Sequence, residues 1–197
     1  MLRLFDKYYF LMESVKMLSR ELWDQAVEFH GHKCPGLAIG FKAVEGAISE
    51  LGLSIDNLSV TDEELVCVTE NDACGVDAVQ VLLGCTVGRG NLVFRFRGKM
   101  AFSFFCRETG QSVRLCLKPS VGNELSREEY QEYLLSHSYD DLFVISNPSY
   151  PLPEKARRFP SENCSICGES TAECFLRVQS GNLVCTACYD VYDREGF

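Results

Sequence analysis

A chain of 197 residues, 46% hydrophobic and 24% charged, is long enough for one sizeable core with an appendage and is too apolar to be disordered throughout. Its formal charge of −9 and sequence pI near 4.9 argue against general binding to nucleic acid or an anionic membrane, which needs clustered Lys and Arg. Arg3, Asp6, Lys7 and Glu13 interrupt the first thirteen residues, so neither a secretory core nor a spanning segment is expected, and the eleven cysteines read as metal-ligating and packing thiols of a cytoplasmic protein.

From about Glu13 to His30 the apolar residues Val15, Leu18, Leu22, Ala26 and Phe29 recur at helical spacing. This predicted helix delivers His30 and, after Gly31, His32 to the start of the next. Pro35 suits the first position of a second helix, where its missing N–H costs nothing. That leaves Cys34 at the N-cap, facing free backbone N–H groups and the positive end of the helix dipole, which favour a thiolate. Thiolates bind metals and attack electrophiles. The second helix, Pro35 to Leu51, carries a large stripe (Leu37, Phe41, Val44, Ile48, Leu51) and a small one (Gly36, Gly40, Ala43, Ala47). Each helical Gly costs about 1 kcal/mol against Ala. Close approach of another backbone must offset that, either a neighbouring helix or the same helix of a second subunit.

Leu65 to Thr69 reads as a short buried strand. Asn71 or Asp72 is placed to cap a third helix, Val76 to Leu83, with Cys74 at or just before its start, so the chain is expected to lower a cysteine pKa by backbone dipoles twice. The stretch from Gly84 to Asn91 lacks the Gly-Lys-Ser/Thr ending of a phosphate loop, and its glycines are read as turns. Leu92 to Phe96, Ala101 to Cys106 and Ser112 to Leu117 look like an antiparallel meander, with Arg95, Arg97 and Arg114 on a solvated face. Ser126 to Glu129 resembles a capping box, His137 a surface or capping histidine, and Leu142 to Ile145 a further strand. The proline-rich stretch from Asn147 to Pro160 marks a linker. The expected organisation is a core over residues 1–146, a linker over 147–160 and a tail module over 161–197.

In the tail, Cys164-x-x-Cys167 and Cys185-x-x-Cys188 are separated by seventeen residues. Four thiolates at this spacing can close tetrahedrally on one Zn²⁺ at about 2.3 Å each, as in structural sites. A rubredoxin-like iron site or a redox dithiol is the lesser alternative, and Cys174 is read as a spare thiol. A module under about 40 residues cannot be held by core burial alone, so zinc is expected to be part of its folding free energy. Residues 154–197 carry five Lys or Arg against seven Asp or Glu, which favours protein contacts over DNA.

The run His30-Gly31-His32-x-Cys34-Pro35-Gly36, with Asn71-Asp72-x-Cys74-x-x-Asp77-Ala78-Val79-Gln80 and Gly84-Cys85-Thr86-x-Gly88, resembles the E-subunit family of formylmethanofuran dehydrogenase over about residues 15 to 145. The resemblance implies an α+β core, in some members followed by a C-terminal zinc finger of the treble-clef kind, and an intertwined homodimer. The family is named for an enzyme that reduces carbon dioxide onto methanofuran with molybdenum or tungsten pterin and iron–sulfur clusters. This chain shows no four-cysteine ferredoxin run for a cluster, so that catalysis belongs to a complex and not to this chain.

The expected fold class is therefore α+β, with helices packed on an antiparallel sheet and a small zinc-finger domain. His30, His32, Cys34 and Cys74 form a mixed nitrogen and sulfur set suited to Zn²⁺ or another divalent metal, with Asp72 and Asp77 as supporting carboxylates. Cys67, Cys85, Cys106 and Cys116 are read as packing thiols. The leading reading is a metal-binding accessory or sensor protein whose finger contacts a protein partner. The alternative is an enzyme of hydrolytic or redox chemistry, with a metal-activated water or the Cys34 thiolate as nucleophile and His32 as proton carrier.

Overall fold

A computed structural model describes residues 20–53, 64–119 and 124–192, so the first part of the expected N-terminal helix lies outside the described residues. The chain divides into two compact units, Met1–Lys155 and Ala156–Phe197.

In the first unit, helix α1 is described over residues 20–30. Trp23 and Ala26 are buried, whereas Phe29, placed by periodicity on the same stripe, is 55% exposed. Gly31, with φ 88, breaks the helix. Helix α2, Pro35–Leu51, begins at Cys34 as N-cap and ends at Gly52 in the left-handed conformation that glycine adopts without penalty. Leu37, Phe41, Val44 and Leu51 are buried, and each such side chain contributes roughly 1.5–3 kcal/mol. Trp23 meets Phe41 edge-on at 5.4 Å.

The small stripe of α2 packs on α3, Gly75–Leu83. A Cβ on Gly40 would lie 2.0 Å from the Gly75 carbonyl oxygen, and one on Gly36 would lie 3.1 Å from Cys74 Cβ. The close approach that repays the helical glycines is thus made to a neighbouring helix of the same chain.

Five strands form one sheet: β1 Leu65–Thr69, β2 Leu92–Phe94, β3 Ala101–Cys106, β4 Ser112–Leu117 and β5 Phe143–Ser146, in the order β2-β1-β3-β4-β5. The expected three-strand meander is corrected here. β1 lies between β2 and β3, pairs antiparallel with β3 and parallel with β2, and α3 makes the crossover of a β-α-β unit. The sheet is therefore mixed, with its remaining pairs antiparallel. Side chains alternate as the pleat requires. Leu65, Cys67, Phe102, Phe104, Val113 and Leu115 join the helices in the main core, while Val66, Val68 and Phe105 form a second cluster with Tyr150. Tyr150 is buried and donates to Ser103 Oγ at 2.9 Å, so the proline-rich stretch begins packed on the sheet and groups with the first unit as far as residue 155.

Helix α4, Arg127–Ser136, opens on the Ser126/Glu129 capping box, and a four-residue turn of helix α5, Tyr139–Leu142, precedes β5. His137 caps α4: its Nδ1 lies 2.7 Å from the Tyr133 carbonyl oxygen and its ring stacks on Tyr133. Among the described residues no helix is long and apolar enough to cross a membrane.

The second unit consists of two hairpins, β6 Ser161–Asn163 with β7 Ser170–Ala172 and β8 Leu176–Gln179 with β9 Asn182–Cys185. A 3-10 turn over Glu173–Phe175 lies between them. Among the described residues of this unit the buried apolar side chains are Leu176 and Val184, with Cys164 and Cys185 beside them.

Candidate metal centres

Cys34 is held as the sequence predicts. Its extended backbone (φ −155, ψ 158) lets the side chain turn back over the helix, and Sγ accepts from Leu37 N–H at 3.3 Å. Cys74 is delivered by a locked turn: Asn71 N–H donates to Thr69 Oγ1, Asn71 Oδ1 accepts from Ala73 N–H, and Asn71 Nδ2 donates to the Lys99 carbonyl. Asn71 therefore shapes the approach to α3, while Cys74 itself occupies the N-cap without a side-chain cap bond. The expectation of a lowered pKa at Cys74 is corrected. Burial pushes this thiol up, and the neighbouring Cys34 sulfur pushes the same way.

A ring nitrogen of His30, Cys34 Sγ and Cys74 Sγ all lie within 4.8 Å of one another, and Cys34 Sγ is 3.6 Å from His30 Nε2. On its other side His30 Nδ1 is 2.7 Å from Asp77 Oδ2. A carboxylate only accepts, so in the neutral imidazole this contact puts the proton on Nδ1 and leaves the Nε2 lone pair on the side of Cys34 Sγ. Gln80 Nε2 donates to Asp77 Oδ1 at 3.0 Å and fixes the carboxylate in turn. One imidazole and two thiols fit a borderline divalent metal, with a supporting partner for the imidazole and fewer than four protein donors.

His32 is not brought into this group. After the break at Gly31 its side chain is exposed and its ring lies against that of His30, with centroids 4.5 Å apart. Asp72 is exposed, so of the two expected supporting carboxylates Asp77 is the one that meets the cluster. Sequence reasoning gave no role to Gln80, although its position one helical turn after Asp77 was a usable signal. The close approach expected along the small stripe is made at Gly36 to Cys74 itself, a neighbour the sequence did not name.

In the second unit the thiols of Cys164, Cys167, Cys185 and Cys188 lie within 4.8 Å of one another. Gly168, with φ 76, lets the first knuckle turn so that its N–H reaches the Cys164 carbonyl, and Cys188 and Tyr189 N–H groups reach the Cys185 carbonyl in the second. Cys185 N–H donates to Cys164 Sγ at 3.3 Å. That bond, with further N–H groups of the same knuckle, lowers the Cys164 pKa to about 6. An all-thiolate set with backbone donors suits a closed structural zinc site. Cys174 stands outside it.

Of the remaining cysteines of the first unit, Cys67 and Cys85 pack in the main core, Cys106 is buried and Cys116 is half-buried. Cys67 and Cys85 are fully buried and burial raises both pKa values, that of Cys85 to about 12.

Residues 29–140 match the profile of the family described as FmdE, Molybdenum formylmethanofuran dehydrogenase operon. Over 197 aligned residues, 85% of this chain, the sequence is 35% identical to a protein of Archaeoglobus fulgidus described as a "Probable S-adenosyl-L-methionine-binding protein". The chain spans about half, 52%, of that relative's length. A crystal structure of a tungsten formylmethanofuran dehydrogenase FmdE-like protein from Syntrophus aciditrophicus matches with a TM-score of 0.61 and 23% identity. The match covers 86% of this chain and 91% of that one, and the likeness is one of fold.

Proposed function

The chain belongs to the FmdE family, and from that premise we propose that it is a metal-binding accessory or sensor protein with one metal in each unit. The observation that carries this reading is the convergence of a His30 ring nitrogen, Cys34 Sγ and Cys74 Sγ within 4.8 Å, with Asp77 orienting the imidazole. His30, Cys34 and Cys74 would hold a divalent cation, zinc by their donor chemistry, and leave a coordination position for an exogenous ligand. Cys164, Cys167, Cys185 and Cys188 would close on a structural zinc ion that contributes to folding of the tail. Exposed Phe175, Val178 and Tyr192 support a tail that contacts protein, a second copy of this chain included.

The set of three donors also favours a second reading, an enzyme working at the core site. A bound metal would supply Lewis acidity there. Because His32 lies outside the donor group, it is the chain's available proton carrier, and Cys34 is better used as a ligand than as a free nucleophile.

Cobalt substitution tests the open position. Azide added to the cobalt-loaded protein should change its visible absorption, and the change should disappear in a Cys34→Ser/Cys74→Ser variant. An azide-insensitive spectrum would mean a closed core site or none.

A further inference from the structure

On the sheet face away from the helices, three cations act on one carboxylate and a fourth lies over a neighbouring ring. Glu70, fully buried at the end of β1, receives both Arg114 Nε at 2.7 Å and Arg114 Nη2 at 3.0 Å, so its two oxygens are taken. Arg97 and Lys99 also act on Glu70 through their charge. Arg95 and Arg97 lie against the Tyr150 ring, with guanidinium carbons 4.2 and 5.5 Å from its centroid.

A structural role accounts for part of this. One guanidinium over Tyr150 would cover the ring, and Tyr150 is already tied down through Ser103. A second guanidinium against the same ring adds like-charge repulsion. Among the described residues Arg95, Arg97 and Lys99 form no ion pair. The chain has 28 Asp and Glu against 19 Lys and Arg, yet here Arg95, Arg97, Lys99 and Arg114 stand against Glu70 alone, four positive charges to one negative. The backbone under the cations is fixed. Arg95 and Arg97 N–H groups donate to the Thr69 and Glu70 carbonyls, and Asn71 holds the Lys99 carbonyl.

We propose that Arg95, Arg97 and Lys99 form a binding site for a small, multiply charged oxyanion of the phosphate-monoester or diphosphate class, with Arg114 neutralised by Glu70 and serving as its floor. Contact with the Tyr150 ring holds the two guanidinium groups side by side, and planar forks recognise phosphoryl oxygens two at a time. Lys99 adds a point charge. The site is independent of the metal-binding reading, since its residues lie outside both donor clusters.

Titration calorimetry with pyrophosphate at low ionic strength tests this on the full chain. Wild type should bind saturably with one site, Arg95→Ala/Arg97→Ala should bind at least about tenfold more weakly, and Arg95→Lys/Arg97→Lys should fall between them. Arg20→Ala/Arg158→Ala, which removes the same charge elsewhere, and Cys34→Ser/Cys74→Ser should bind as wild type does. Absence of saturable binding overturns the proposal, as does equal weakening by the Arg20/Arg158 variant. Loss in the cysteine variant alone would assign the anion to a core metal. Tighter binding of single-stranded oligonucleotides that strengthens with length would replace the small anion by a nucleic-acid strand. Should the alanine variant fail to fold by circular dichroism, undiminished affinity in the lysine variant would overturn the bidentate role.

Discussion

His30 Nδ1 lies 2.7 Å from Asp77 Oδ2, so the last residue of α1 is held in one tautomer by a carboxylate in the first turn of α3, 47 positions along the chain. Replacing the carboxylate by Asp77→Ala should weaken core metal affinity about 10–100-fold while leaving all three donors in place. Competition with a chromophoric chelator measures this, with the four-cysteine site as internal reference. Equal affinity would remove Asp77 from the supporting role.

Contact between Gly40 and Gly75 sets the distance between α2 and α3, and therefore between Cys34 and Cys74. Gly40→Ala puts a methyl group 2.0 Å from a backbone oxygen, which no side-chain movement relieves. A loss of about 3 kcal/mol or more is expected in urea denaturation, at or beyond the usual range for overpacking. Gly88→Ala, where a Cβ meets nothing within 4 Å, should change stability by less than about 0.5 kcal/mol.

The Glu70–Arg114 pair predicts an acid limb in the stability profile. Hydrogen bonds from Arg114 hold the Glu70 carboxyl below its ordinary value of 4.5, outweighing the opposing effect of burial. A depressed folded-state pKa contributes stability that is present above the unfolded value and is lost as pH falls through the folded one. Glu70→Gln should therefore be less stable than wild type at pH 7, and the difference should shrink as pH falls below 4.5. A difference independent of pH would show that Glu70 acts by packing alone.

Among the described residues of the second unit the apolar core is small, centred on Leu176 and Val184, too little to fold the unit unaided. Removal of zinc by a strong chelator should collapse the amide dispersion of the β8–β9 hairpin in nuclear magnetic resonance spectra while the β1–β5 signals persist. Retained hairpin dispersion without metal would contradict zinc-coupled folding.

Local chemistry was legible in the sequence. Cys34 before Pro35, the capping box at Ser126 and the two Cys-x-x-Cys knuckles each depend on a few adjacent residues whose backbone conformation their side chains dictate. The family motifs likewise named both halves of the core site. What was not legible depends on pairing across distance. β2 reads as the first strand of a meander because its alternation is local, whereas its parallel place beside β1 follows from the crossover through α3. His32 looked like a ligand by proximity, but the positive φ of Gly31 turns the chain between the two histidines, and four residues after His30 it is Cys34 that returns to Nε2. Arg97 is exposed as its alternation suggested, but nothing near Arg95 and Arg97 in sequence revealed that Tyr150 folds back onto their face.

The claim of two metal sites is tested most directly by the metal content of the purified full chain. Elemental analysis should give two metal ions per wild-type chain and one per Cys34→Ser/Cys74→Ser chain, with the four-cysteine site still filled. An unchanged metal complement in that variant would contradict the core site.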